Sequence, residues 1–194
     1  KVPFKDTSFI AARSGFSKQG GFEVYVENAN YAEDIWDTLF EAGKSLNVAA
    51  GCPNGIERVE AGLLSYGNDM TIVNNPIECG LERFCKKGID WRTGKVKPFI
   101  GDKALNKVMQ NGVQQIIRSI EIDGRPVPPC MEPWPIYYKN KNVGQVTSAA
   151  FSPDFKTNVA LGMVSQECWN EGNQVNVKTP VGTRSAIIHE KSFI

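Results

Sequence analysis

The sequence predicts an α+β stretch over residues 1–110 followed by a small antiparallel β-barrel over residues 111–194. Three observations carry this reading. Short apolar runs with a period of two near the start give way to a segment whose apolar positions recur every three or four residues. Helical patterning ends near residue 111. Beyond that point, six short β-type runs are divided by dense turn signals.

Phe9-Ile10-Ala11-Ala12 and Phe22-Glu23-Val24-Tyr25-Val26 read as strands on either side of the Gly-rich segment Ser14–Gly21. In the second strand, Phe22, Val24 and Val26 share one face and Glu23 and Tyr25 the other; if the valine face is core, the glutamate and tyrosine are displayed together. From Tyr31 to Leu46, the residues Ile35, Trp36, Leu39, Phe40, Gly43 and Leu46 form one stripe of an amphipathic helix. Asn30 is expected to cap its free amides, with Glu33 completing a capping box. A second helix is expected over Ile56–Leu64, after the turn Gly51–Gly55 and before the break Tyr66-Gly67-Asn68-Asp69. Asn74-Asn75-Pro76, Gly80, Gly88 and Gly94 mark irregular chain, and Ala104–Met109 reads as a short helix closed near Gly112. The barrel strands are expected within Val113–Ile122, Trp134–Tyr138, Gly144–Ala149, Val159–Val164, Gln174–Val177 and Arg184–Ile188.

Composition narrows the function classes. The 194 residues are 41% hydrophobic and 22% charged, which suits a globular chain and excludes a disordered one. A formal charge of +1, with only the loose basic group Lys86, Lys87, Arg92, Lys95 and Lys97, gives no concentrated field for nucleic acid. A small anionic ligand stays open. Five cysteines at irregular spacings read as reduced thiols, and a cytoplasmic location is expected. His189 is the only histidine, so neither a zinc site nor a histidine-based triad has its residues. No apolar run approaches the ~20 residues that cross a bilayer, and residues 1–15 do not form a signal peptide, so a soluble protein without a membrane partner is expected. The chain begins at Lys1 and enters a strand almost at once, which reads as a cut edge as readily as a natural start.

Glu23 and Tyr25 are the first candidate ligand-binding pair. A carboxylate can accept two neighbouring N–H groups of an aminopyrimidine while a phenol stacks or donates beside it. The plainer alternative is an outward strand face in water. Arg58, on the second helix, can hold an anionic tail or ring carbonyl with its planar fork, or simply pair with a neighbouring glutamate. Phe16 and Lys18 lie in the loop before Glu23, where the aromatic could lean over a ligand and the lysine meet a carboxylate; both are also ordinary loop residues. Gly15-x-x-x-x-Gly20-Gly21 lacks the Gly-Lys-Ser/Thr end of a phosphate loop, which removes an ATPase reading. Cys79 and Cys85 have no activating histidine near them in sequence and read as inert thiols, and His189 reads as packing or solvent-facing rather than catalytic.

Arg13-Ser14-Gly15-Phe16 with Gly21-Phe22-Glu23-Val24, the block Ile56–Asp69, Asn75-Pro76-Ile77-Glu78-Cys79-Gly80-Leu81, and Phe99-Ile100-Gly101 with Ala104-Leu105 together resemble the glycine cleavage aminomethyltransferase (T-protein) superfamily. Gly144–Ser148, Phe151-Ser152-Pro153 and Asn158–Gly162 continue the resemblance into its C-terminal barrel domain. The resemblance implies that the chain is the C-terminal half only: the C-terminal part of the T-protein-like folate-binding domain, followed by the barrel. It implies tetrahydrofolate as cofactor, with Glu23 matching the glutamate that bonds the pterin, Arg58 the arginine lining the folate pocket, and Phe16 a position where T-proteins have tyrosine. The family's catalytic aspartate is expected in a preceding half, so no catalytic residue is assigned within this chain, and no metal is implied.

Ser14–Gly20 departs from the usual T-protein run, while Tyr25, the block Leu63–Met70 and Glu78–Phe84 resemble the dimethylsulfoniopropionate demethylase branch. That branch implies methyl transfer from a small-molecule sulfonium donor to tetrahydrofolate, giving methylthiopropionate and 5-methyltetrahydrofolate. The alternatives are a glycine cleavage aminomethyltransferase, whose partner is a lipoyl carrier protein, and an inactive folate-binding fragment. The isolated chain is expected to have no turnover, with a missing N-terminal half or a second copy of the chain as its partner.

Overall fold

The computed structural model describes residues 1–16, 20–51, 55–85, 88–89 and 96–194, without the side chains of residues 88, 89, 96 and 97. Two compact units are present, Lys1–Glu57 and Arg58–Ile194. Lys18, the turn residues Cys52-Pro53-Asn54, and Lys86, Lys87, Arg92 and Lys95 of the basic group lie outside the described residues.

In the first unit, β1 (Val2–Phe4) and β2 (Thr7–Ala12) form a hairpin, and β3 (Glu23–Tyr25) pairs with the other edge of β2. All pairings are antiparallel, with Val2 opposite Phe9 and Ala12 opposite Glu23. Phe9 is the buried anchor, its ring 5.4 Å from that of Phe4 and 5.9 Å from that of Tyr31. The Tyr31 hydroxyl donates to Asp6 Oδ1 at 2.8 Å, and Lys5 pairs with Asp34, so the hairpin turn is bonded to the start of the helix.

That helix, α1 (Ala32–Gly43), follows a 3₁₀ turn over Ala29–Tyr31. The expected cap moves two residues earlier: Asn28 Oδ1 accepts the Asn30 N–H at 3.0 Å, and α1 itself has no side-chain cap. An Asx residue satisfies the amide two positions on, so Asn28 serves the preliminary turn and Asn30 is taken inside it. A core face of Phe22, Val24 and Val26 is also not formed, since Phe22 is 68% and Val24 39% exposed. Three residues of edge strand are too short to bury an alternating face.

α2 (Gly55–Glu60) spans the boundary of the two units and is shorter than the sequence suggests. Gly62 stops it: φ is +66°, Gly62 N–H bonds Val59 O at 3.1 Å, and Leu63 N–H bonds Arg58 O at 2.9 Å. This pair of bonds around a left-handed glycine is a Schellman cap. Irregular chain follows, then the antiparallel pair β4 (Gly88–Ile89) and β5 (Val96–Lys97), and α3 (Asp102–Asn111), which ends at Gly112 as expected.

The remaining strands are β6 (Gln115–Ile122), β7 (Trp134–Tyr138), β8 (Lys141–Ser152), β9 (Thr157–Ser165), β10 (Gln174–Thr179) and β11 (Gly182–His189). They close into a barrel in the order β10-β11-β6-β9-β8-β7, every neighbouring pair antiparallel. Five of the six sequence-predicted runs lie wholly in these strands, and the run Val113–Ile122 begins two residues before β6. Ile120, Ile122, Trp134, Ile136, Val146, Val164, Val177 and Ile188 fill the interior. β10 shows the expected alternation, with Val175, Val177 and Thr179 inside and Gln174, Asn176 and Lys178 outside. In β8 the alternation breaks: Val146 pairs with Gly162 and Ser148 with Leu161, leaving Thr147 as an extra residue. This is a β-bulge.

Gly144 is required where β8 passes β9. Its φ is +150°, and a Cβ there would sit 2.0 Å from the Met163 carbonyl oxygen. Backbone cannot yield as a side chain can, so Gly144→Ala is expected to cost about 2 kcal/mol or more, read as a lower urea midpoint at unchanged slope.

Candidate functional site

In the first unit, β3 sets Glu23 and Tyr25 two residues apart on one strand face, both solvent-exposed, with Tyr25 53% accessible. Ser14, on the loop leaving β2, donates its hydroxyl to Glu23 Oε2. Sequence reasoning missed Ser14; the β2–β3 pairing of Ala12 with Glu23, which brings the loop back, was the signal. Phe16, 56% exposed, lies further along the same loop. The Arg13 guanidinium sits 6.0 Å from the Phe22 ring centroid, at the outer limit of a cation–π contact.

Arg58 belongs to the second unit and is engaged rather than displayed. Nη1 donates to Asp69 Oδ2 at 2.6 Å and to Leu63 O at 2.9 Å, and Nη2 donates to Ser148 Oγ at 2.6 Å. These bonds use three of its five N–H donors and leave at most two for a ligand. Asp69, with a side chain 0% exposed, is the centre of the network. Its Oδ2 accepts from Arg58 and from the Ser65 amide at 2.8 Å, and its Oδ1 accepts from Thr147 Oγ1 at 2.6 Å and Ser148 Oγ at 2.7 Å. Adjacent strand residues ordinarily point to opposite faces; the bulge at Thr147 turns both hydroxyls to the same carboxylate oxygen. Asp69, Thr147 and Ser148 were not singled out from sequence, because no periodicity marks a bulge.

Beside this network is a cavity of about 400 Å³ lined among others by Asn68, Asp69, Thr71, Asn74, Gln145 and Thr147. Among the described residues Asp69 is its one charged lining residue, and four donors already neutralise it. The walls are therefore polar but carry no uncompensated charge. Burial, with the Asp69 charge second, pushes the Cys130 thiol pKa up to about 11, and burial raises those of Cys79 and Cys168. Cys79, Cys85, Cys130 and Cys168 are all free. Among the described residues no group of His, Cys, Asp and Glu is arranged to hold a metal, and no helix is long and apolar enough to cross a membrane.

With this geometry in view, two family models match the chain: the GCVT N-terminal domain over residues 1–88 and the glycine cleavage T-protein C-terminal barrel domain over residues 117–194. Among curated relatives, the dimethylsulfoniopropionate demethylase DmdA of Ruegeria pomeroyi is 47% identical over 98% of the chain and 50% of its own length. An aminomethyltransferase of Caldanaerobacter subterraneus is 30% identical over 100% of the chain and 50% of its own length. The crystal structure of glycine cleavage system aminomethyltransferase T from Bartonella henselae superposes with a TM-score of 0.79 at 24% identity, covering 100% of this chain and 54% of that one, a likeness of fold. The chain spans about half the length of the relatives it matches.

These matches correct the expectation of a C-terminal half only. Residues 1–88, which carry β1–β3, α1 and α2, match the N-terminal domain model, so the chain joins material of both domain types and its α+β part is not merely the end of one.

Two outcomes are expected. Asp69→Ala removes the acceptor of four donors and leaves the Arg58 charge unpaired in a mostly buried position, which costs about 3 to 5 kcal/mol in chemical denaturation. Cys130, with a value of about 11, is about 0.1% thiolate at pH 8; mass-resolved alkylation at that pH is expected to leave it unlabelled while the chain is folded and to label it on unfolding.

Proposed function

Since the chain belongs to the glycine cleavage T-protein superfamily of one-carbon transferases, we propose that it serves tetrahydrofolate-dependent methyl transfer from dimethylsulfoniopropionate, yielding methylthiopropionate and 5-methyltetrahydrofolate. The observation that carries this reading is 47% identity to a dimethylsulfoniopropionate demethylase along 98% of the chain, against 29–32% for the aminomethyltransferases. In this reading residues 1–110 contribute to the folate site and residues 111–194 form the barrel module. The protein acts in the cytoplasm, in keeping with its four free described cysteines.

The exposed face of β3 fits a pterin. Glu23, exposed on β3 and bonded by Ser14 at one carboxylate oxygen, can present its carboxylate to the paired N–H groups of an aminopyrimidine edge. Tyr25, on the same strand face, and Phe16, on the preceding loop, supply exposed rings. Arg58 offers its remaining donors to a carbonyl or anionic group. Bound tetrahydrofolate supplies the nitrogen that receives the methyl group. A sulfonium carries its own leaving-group activation, since departure of the neutral thioether relieves its positive charge. The residues' work is then to orient the two reactants and keep water away, with no protein nucleophile or metal in the step. The 194 residues alone, about half the relatives' length, are proposed to lack turnover.

The test is an assay on the complete polypeptide. Dimethylsulfoniopropionate-dependent formation of 5-methyltetrahydrofolate supports the reading. Consumption of an aminomethyl-lipoyl carrier protein with release of ammonia, and no product from the sulfonium, replaces it with the aminomethyltransferase reading. Glu23→Ala is expected to weaken tetrahydrofolate binding about tenfold to a hundredfold by calorimetry, the loss of a charge-assisted pair. Unchanged affinity would leave Glu23 an ordinary surface carboxylate.

A further inference from the structure

His189, the only histidine in the chain, stands at the end of β11 with a carboxylate on each side of its ring. Nδ1 lies 2.8 Å from Oε1 of Glu171, which precedes β10, and Nε2 lies 3.4 Å from Oε2 of Glu121 on β6. The second contact is within ion-pair range but makes no hydrogen bond, although Nε2 is buried. A neutral imidazole has one N–H, so between two carboxylates it must turn a lone pair toward one of them. The imidazolium has two N–H groups and turns none. The site is therefore built for the charged ring.

Its neighbours connect it to α2. The Phe193 ring lies 5.8 Å from both His189 and Phe155 and packs on the cluster of Val59, Val159 and Leu161. The amides of Phe193 and Ile194 donate to the carbonyl of Glu60, the last residue of α2, at 2.9 and 3.3 Å. Ser192 lies so near Gly62 that a Cβ on that glycine would be 3.1 Å from the Ser192 Cβ. The segment Glu190–Ile194 thus lies against the end of the helix that carries Arg58.

We propose that His189 operates a proton-dependent latch, in which the imidazolium between Glu121 and Glu171 holds the segment Glu190–Ile194 on the last turn of α2, and loss of the ring proton loosens it. This inference does not depend on the folate reading. The other charged groups in reach are Glu190, whose amide donates to Glu171 Oε2 at 2.6 Å, and Arg118 on β6, which acts electrostatically on both Glu171 and Glu190. The Glu190 amide, and then His189, hold the Glu171 carboxyl below the usual carboxylate range. A depressed carboxylate keeps its contribution until pH falls through its own low value.

A lone histidine makes the test direct. Nuclear magnetic resonance on the whole chain follows the single imidazole through its titration alongside hydrogen-exchange protection of the Phe193 and Ile194 amides. Protection of both is expected to fall about two- to fivefold as the ring discharges, with the same midpoint as the ring. The fall is expected to be absent in His189→Gln and reduced in Glu121→Gln, which serves where the first variant does not fold. Constant protection through the wild-type titration, or the same pH response in His189→Gln, overturns the proposal.

Discussion

The second unit hangs on one carboxylate. Taking Asp69 out of water costs several kcal/mol, and only a full set of partners offsets this: the Arg58 guanidinium, the Ser65 amide and the hydroxyls of Thr147 and Ser148. Those partners come from α2, the turn after it and β8 of the barrel, so a single charge decides where three pieces of chain meet. The arrangement is directional as well as strong. The Ser148 hydroxyl gives its proton to Asp69 and accepts from Arg58, which closes a ring of bonds in which no group can rotate alone.

Glu23 and Arg58, which belong to different units, differ in how far their own surroundings occupy them. Glu23 stands in solvent, with the Ser14 hydroxyl donating to one of its oxygens. Arg58 is mostly committed within its own unit, and its guanidinium plane is set before any ligand arrives.

How much of this was legible in the sequence follows from what each feature depends on. The barrel strands were readable because turn residues and β-branched runs act locally, and α3 was readable because Gly112 ends it. The position of Glu23 and Tyr25 on one face followed from strand periodicity alone. The Asn30 cap was misplaced because Asn28 and Asn30 compete for the same turn and composition does not rank them. α2 ran too long in the sequence reading because Gly62, inside an apolar pattern, acts through a backbone conformation that periodicity ignores. Asp69 was invisible for a deeper reason. Its partners Thr147 and Ser148 lie far along the chain, and only a bulge, which alternation counts as an error, turns them toward it. The half-chain reading failed because likeness in the β3 and α2 blocks was assigned to the end of one domain, whereas residues 1–88 as a whole match the N-terminal one.

The closed barrel also governs the order in which the chain acquires its shape. β7 with β8, β8 with β9, and β10 with β11 are joined by short connections and can zip as neighbours. The seam between β6 and β11, with Glu121 opposite Ile187, requires nearly the whole module to be gathered first. Such distant pairing is slow, because the entropy of the long loop is lost before the contact rewards it. Until the seam shuts, both of these strands are open borders able to recruit other nascent chains. Rapid synthesis or crowded expression will find its hazard there, in the interval before the ring is complete, rather than in the finished molecule.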